Sequence, residues 1–553
     1  LGQPFKSFLA GLQEFLKLAI PLGLGCALLA VPLVFVAGAK LAMAGSGGIF
    51  VMVISYRYPR QALWAFFIYM PFAGTVTYTL GGGNAIFQLA KDSLCFPAFL
   101  VMGLTYRQSR EPFLAPKAIL PALWAILVFC GLSLVLVSLP RQFLPVCSSA
   151  LKASGQACKE GQPFLQGVLG LKVFMGYVPL IFCVQKLLRT MKEFLFFTRT
   201  HTILAIICCA LCLVQLWMLQ SGRCQGTDHL SGDDLFVANL EARCFVGGSL
   251  LYSPSQGVIR LPSTFVAPWQ WGWFMIGNAY FTFASAFSDP SPLWRLIGLA
   301  GMGSVMAAAV VSGQRVALAL APVSFGILLV LTGQLTNIKR FVPIAVGAGA
   351  GGVVAWVMFQ DLIVERVENF LGRWEASPAD EMITHQFSFV WGNLNGQILG
   401  RGLGAGTNSC RIFGPTWLIE TWFPKVLFEI GPIGLAIFLL FVTVLSYVAF
   451  NTYRSLKDKN LRSFGACFWV FILFISYQTY YYPLDVDPVA VYYWIMLGAV
   501  FSLPALDRQL QTQHNSLETE IANLSTEPDP ALAKLKSGTS KSGRFVRIRP
   551  SPD

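Results

Sequence analysis

An all-α fold of about 14 membrane-crossing helices with one large late extracytoplasmic loop is what this sequence predicts, on three observations. The first is composition: of 553 residues, 55% are hydrophobic and only 12% charged, with a mean hydropathy of +0.61. A soluble chain of that length would need far more charge to cover its surface. The second is the recurrence of apolar runs of roughly 17–22 residues, each able to cross a hydrocarbon core of about 30 Å. The third is the placement of the basic residues, which fall in alternate short connections.

Taken in order, the runs lie near 20–38, 41–56, 61–80, 93–105, 118–138, 164–185 and 201–219. Others lie near 268–287, 293–312, 316–333, 341–358, 426–449, 465–479 and 488–505. The 5–17 stretch is mildly amphipathic and has no small-residue cleavage site, so no cleavable signal peptide is expected. With the N-terminus inside, the inner connections are 57–60, 107–117, 186–199, Arg295, Lys339 with Arg340, and 454–462, all basic. Lys and Arg accumulate on the cytoplasmic side, so both termini are expected there, in a multi-pass protein of the inner (cytoplasmic) membrane. The formal charge of +13 follows from this distribution and from the basic tail, which argues against nucleic acid as a partner.

The chain divides into a helical part (1–358), a large outer loop (359–425), C-terminal spans (426–506) and a tail (507–553). The tail opens with a polar stretch, 507–524, of helical character. It continues into a Pro-, Ser- and Lys-rich segment expected to be disordered, which is either solvated or laid on anionic headgroups through 534–549.

Two outer loops carry two cysteines each. Cys147 and Cys158 lie in 141–162, and Cys224 and Cys244 in 221–267. An oxidising compartment makes both pairs disulfide candidates. No zinc-type spacing is present, and no metal or other cofactor is expected.

The polar stretch from 359 to 434 concentrates Arg366, Arg373, Trp374, His385, Arg401, Arg411, Glu420 and Trp422. The mid-span positions are nearly free of charge. Lys172, Arg315, Asp361 and Glu429 all fall toward outer helix ends, and Arg315 sits in a tight Ser312-Gly313-Gln314-Arg315 turn. Transporters of ions or polar solutes place such groups nearer the midplane. Charges at one interface suit a substrate with a lipid tail and a polar head, and arginine suits a diphosphate because its planar donors pair with phosphate oxygens. Any one of these arginines also fits a plain outer-loop ion pair. The glycines of 400–406 fit either an ordinary loop or a backbone cradle for phosphate, and Asp485-Val486-Asp487 reads as a solubiliser of a short loop.

These residues resemble the O-antigen ligase and O-antigen polymerase family of bacterial membrane glycosyltransferases. Three local patterns carry the resemblance, besides the many spans and the late loop. They are the Ser312–Arg315 turn, Arg373-Trp374 followed by the alternating glycines from Gly400 to Gly406, and Glu420-Thr421 placed nine residues before Gly431-Pro432-Ile433-Gly434. In the ligases a His leads the last pattern; here Glu420 stands in its place. The resemblance implies metal-independent transfer of a glycan from a polyprenyl-diphosphate-linked donor, among membrane lipids, to a glycan acceptor. Arg315 and Glu420 would be catalytic, while Arg366, Arg373, Arg401, Arg411, Trp374 and Trp422 would bind diphosphate and sugar. The competing classes are a solute transporter or lipid-linked oligosaccharide flippase, and a structural membrane subunit.

Overall fold

The structure is a computed structural model that describes residues 2–109, 116–149, 157–235, 240–254, 257–334, 378–481 and 483–526, with scattered positions between 356 and 372. Its helices are α1 (Gly2–Ala37), α2 (Ala39–Arg57), α3 (Pro59–Tyr69), α4 (Ala73–Thr79), α5 (Ala90–Ser109) and α6 (Leu120–Ser133). A π-helical turn, Leu134–Ser138, joins α6 to α7 (Leu139–Gln142). Then come α8 (Pro163–Met175), α9 (Leu180–Leu187), α10 (Met191–Gln220), α11 (Pro268–Ser288), α12 (Pro292–Val311), α13 (Arg315–Leu331) and α14 (Ala379–Leu394). The last are α15 (Trp422–Arg454), α16 (Lys459–Tyr477) and α17 (Val489–Thr526). One small antiparallel hairpin, β1 (Leu251–Ser253) with β2 (Val258–Arg260), decorates the connection before α11.

Among the described residues nine helices are long and apolar enough to cross a membrane, or ten if α8 and α9, bent by 41° where they meet, form one span. The protein is therefore a predominantly helical, multi-pass membrane protein. The remaining expected spans differ for physical reasons. The 61–80 run is broken at Met70–Phe72, around Pro71, into α3 and α4. Helix α13 is apolar but has 17 residues. Of the 341–358 run only 356 and 357 are among the described residues.

Helix α11 is the centre of the bundle, packed against α10, α12, α13 and α16 and buried along nearly its whole length. Its polar groups lower its hydropathy while facing the bundle interior, where several find partners. Asn278 Nδ2 donates to the Phe274 carbonyl (2.9 Å) and to the Tyr492 hydroxyl (3.0 Å), and the Tyr280 hydroxyl meets Ser324 Oγ at 3.0 Å. Helix α1, by contrast, is almost unburied in its apolar part, as a lipid-facing helix should be.

Contacts between connections sort the helix ends into two sets. Arg60 pairs with Glu193 (2.6 Å), Arg199 with Asp289 (2.8 Å), and Ser288 Oγ donates to Ser463 Oγ (2.7 Å). These join connections that the charge pattern puts on one side. The Leu261 N–H donates to the Ser312 carbonyl (3.0 Å), Gln162 N–H to Phe413 O (2.6 Å) and Trp422 N–H to Thr479 O (2.7 Å), and Lys91 pairs with Asp487 (2.9 Å). These join connections assigned to the other. Both cysteine pairs, Cys147–Cys158 and Cys224–Cys244, are disulfide-bonded in this second set.

Candidate functional site

The site begins with a break in α15. Gly431 is non-helical (φ 74°, ψ −179°) and Pro432 has no N–H, so the carbonyls of Phe428 and Glu429 lose their helical donors. The 397–407 turn supplies replacements: Arg401 N–H donates to Phe428 O (2.7 Å) and Gly402 N–H to Glu429 O (3.0 Å). The approach requires glycine on both sides. A Cβ on Gly431 would stand 2.0 Å from the Ile398 carbonyl oxygen, and one on Gly400 (φ 75°) 2.6 Å from the Glu429 backbone.

Two buried side chains one turn apart on α15 then hold two different loops. The Glu429 carboxylate accepts the Gly406 N–H (2.9 Å) and the Thr407 hydroxyl (2.8 Å). Lys425 pairs with Asp485, in the connection before α17. Asp487 pairs with Lys91, and Lys172 with Asp92 at 2.8 Å. The solubilising role expected for Asp485 and Asp487 is thus corrected, because both acids turn inward as counter-charges to lysines in apolar helices. Burial pushes the Asp485 carboxyl up to about 6 even though Lys425 pulls the other way.

Two arginines meet at the 397–407 turn. Arg401 Nε donates to the Asn393 carbonyl (2.9 Å), and its Nη2 bonds the same oxygen. Arg141, one turn beyond the π-helical step in the α6–α7 segment, donates to the Arg401 carbonyl and to Gln397 Oε1 (3.3 Å). Both guanidinium groups are half-buried and close enough to repel each other. Among the described residues neither is paired with a carboxylate; their acceptors are neutral amide oxygens. Like charges held together without a counter-ion favour a bound anion, and the planar donors of arginine match phosphate oxygens.

The other expected site residues lie as follows. The Glu420 N–H donates to Gln386 Oε1 (3.3 Å), and its half-buried carboxylate has no partner among the described residues. Its neighbour Thr421 bridges to Tyr480 and Tyr481, bringing the 478–488 connection alongside. Arg411 is exposed and donates to Thr416 Oγ1 (3.2 Å). Arg315 opens α13 after the positive-φ Gly313 (69°). No described hydrogen bond or ion pair links it to Arg401, Arg411 or Glu420. His385 is exposed on α14. Arg366, Arg373 and Trp374 lie outside the described residues.

Trp422 corrects an expectation. It is 1% exposed, with Phe174 and Phe438 rings each 5.8 Å away and the Lys425 ammonium over its face, so no sugar can stack there. Trp417, 47% exposed beside Phe389 and Phe428, is the open indole of the same region.

Sequence reasoning missed Arg141 and the two aspartates. Lys91 and Lys425, at the very edges of the 93–105 and 426–449 apolar runs, were the available signal for the aspartates, since a lysine drawn into such a helix needs an acid. For Arg141 there was none, because its proximity to Arg401 joins positions 260 apart in the sequence.

The fold and the site together define a helical multi-pass membrane protein with a cationic, loop-built site at one set of helix ends. No protein-family model matches the chain, and no curated protein matches it.

Proposed function

We propose that this protein is a membrane glycosyltransferase that polymerises or ligates glycan from a polyprenyl-diphosphate-linked donor. It would work in the inner membrane, at the outer face, with both termini cytoplasmic. The observation that carries this reading is the Arg141–Arg401 pair: two half-buried guanidinium groups with no carboxylate between them among the described residues. A diphosphate brings the missing negative charge and leaves most readily when its developing charge is met by fixed donors.

In the proposed step the acceptor hydroxyl attacks the anomeric carbon of the donor sugar. The new carbon–oxygen bond forms as the bond to the diphosphate oxygen breaks. The hydroxyl proton passes to Glu420, whose unpartnered carboxylate is free to accept it. Polyprenyl diphosphate departs held by Arg141 and Arg401, with Arg315 as a further donor to the same group. Glu429 and Lys425 shape the loops around them and take no part in the chemistry.

Purified protein supplied with lipid-linked glycan should release polyprenyl diphosphate and yield glycan longer than the donor's. Arg401→Ala and Arg141→Ala should each lower the rate by about 100-fold or more, the scale for loss of one charge-stabilising donor. Unchanged rates in both variants would remove the arginine pair from the mechanism.

A further inference from the structure

Outside this site the chain carries a second built feature, at the opposite set of helix ends. A groove of about 560 Å³ runs along the start of α10. Lys192 stands at its head, and Leu195, Phe196, Ile203 and Leu204 follow along its floor, with Ile68 and Trp294 as side walls. The positions 192, 195–196, 199–200 and 203–204 recur every three to four residues, so they share one helix face. From 192 to 204 that face is roughly 18 Å long. The groove is therefore a lengthwise apolar channel with a cation at one end, leading into a span.

The charges at its head are unequal. Arg199, which interrupts the floor, is neutralised by two 2.8 Å bonds to Asp289 and holds its guanidinium carbon 4.9 Å from the centre of the Trp294 ring. Glu193 is occupied by Arg60 and by the Thr190 capping box. Both carboxylates beside the groove are thus engaged, while the exposed Lys192 has no carboxylate partner among the described residues. A single uncompensated ammonium above an apolar channel complements a molecule with one anionic head and a long hydrocarbon chain.

We infer that this groove holds one acyl chain of an anionic membrane phospholipid, with the headgroup phosphate on Lys192. The volume falls within the range of small-molecule sites, and the basic connections around it attract anionic lipid to this end. The inference is independent of the glycosyltransfer reading, since the arginine pair lies at the other set of helix ends.

The test is native mass spectrometry of the full chain in detergent, titrated with dioleoyl phosphatidylglycerol or dioleoyl phosphatidylcholine. Wild type should retain phosphatidylglycerol about fivefold better than phosphatidylcholine, the effect expected of one basic residue near a headgroup. Lys192→Gln should abolish the preference and Lys192→Arg should keep it. Ile203→Trp, which fills the channel, should lose the bound lipid of either kind while the protein still elutes as a single folded species. Equal retention of the two lipids by wild type, or a preference that survives Lys192→Gln, would overturn the inference. Should Ile203→Trp fail to fold, the Gln and Arg variants at 192 decide the matter alone.

Discussion

Arg401 spends its donors on neutral oxygens, and Arg141 does the same a few ångströms away. A surface ion pair would contribute little and tolerate Lys; a paired-donor contact to phosphate would not, because the ammonium is a point charge with different geometry. Arg401→Lys is accordingly expected to fold normally and lose most of the transfer rate, read as polymer formed per unit of membrane-inserted protein. Glu420→Gln separates its role from theirs. It keeps shape and removes the base, so donor binding should persist while product formation falls by about 100-fold or more. Product at the wild-type rate would leave Glu420 without a catalytic role. Arg315→Ala should likewise stop polymer formation with membrane insertion intact; normal glycan length in that variant would take Arg315 out of the site.

The broken helix α15 organises the site at the scale of elements. Its Gly431–Pro432 step frees the carbonyls that the 397–407 turn then satisfies, and its Lys425 and Glu429 anchor two loops. Gly431→Ala adds a Cβ against the Ile398 carbonyl at a positive φ, and should destabilise the protein by about 2 kcal/mol or more, visible as a lowered unfolding temperature. Asp485 gives the same region a pH signature. Its folded value of about 6 lies above that of a free carboxyl near 3.8, so the native state holds the proton more tightly than the unfolded chain. Its contribution to stability is therefore greatest at the acid end, declines as pH rises from about 4 to about 6, and stays flat above. Subtracting the Asp485→Asn unfolding profile from that of wild type should isolate this decline. A difference that instead grows with pH would reverse the assignment.

For the molecule as a whole, the apolar runs and the alternating basic connections made the helical membrane class legible, because lipid imposes length and charge rules on every span separately. Helices inside the bundle escape those rules. Helix α11 has the polar residues of an interior element, and the break after Tyr69 is a matter of one proline's placement. The candidate site was legible where one residue carries its own meaning, as with Arg401 within its glycines. It was illegible where meaning depends on pairing across the chain, as with Arg141 beside Arg401 or Asp487 with Lys91. The cysteines were legible as pairs because each pair shares one connection, and peptide mapping without reductant should recover Cys147 linked to Cys158 and Cys224 to Cys244. Free thiols there would contradict the fold of both connections.

The most direct measurement incubates the purified protein in lipid with a polyprenyl-diphosphate-linked glycan and follows both glycan length and released polyprenyl diphosphate. The two products should appear together in wild type, and both should be lost in Arg401→Ala. A donor carried intact across the bilayer by wild type, with no diphosphate released, would contradict this and make the protein a carrier of lipid-linked glycan.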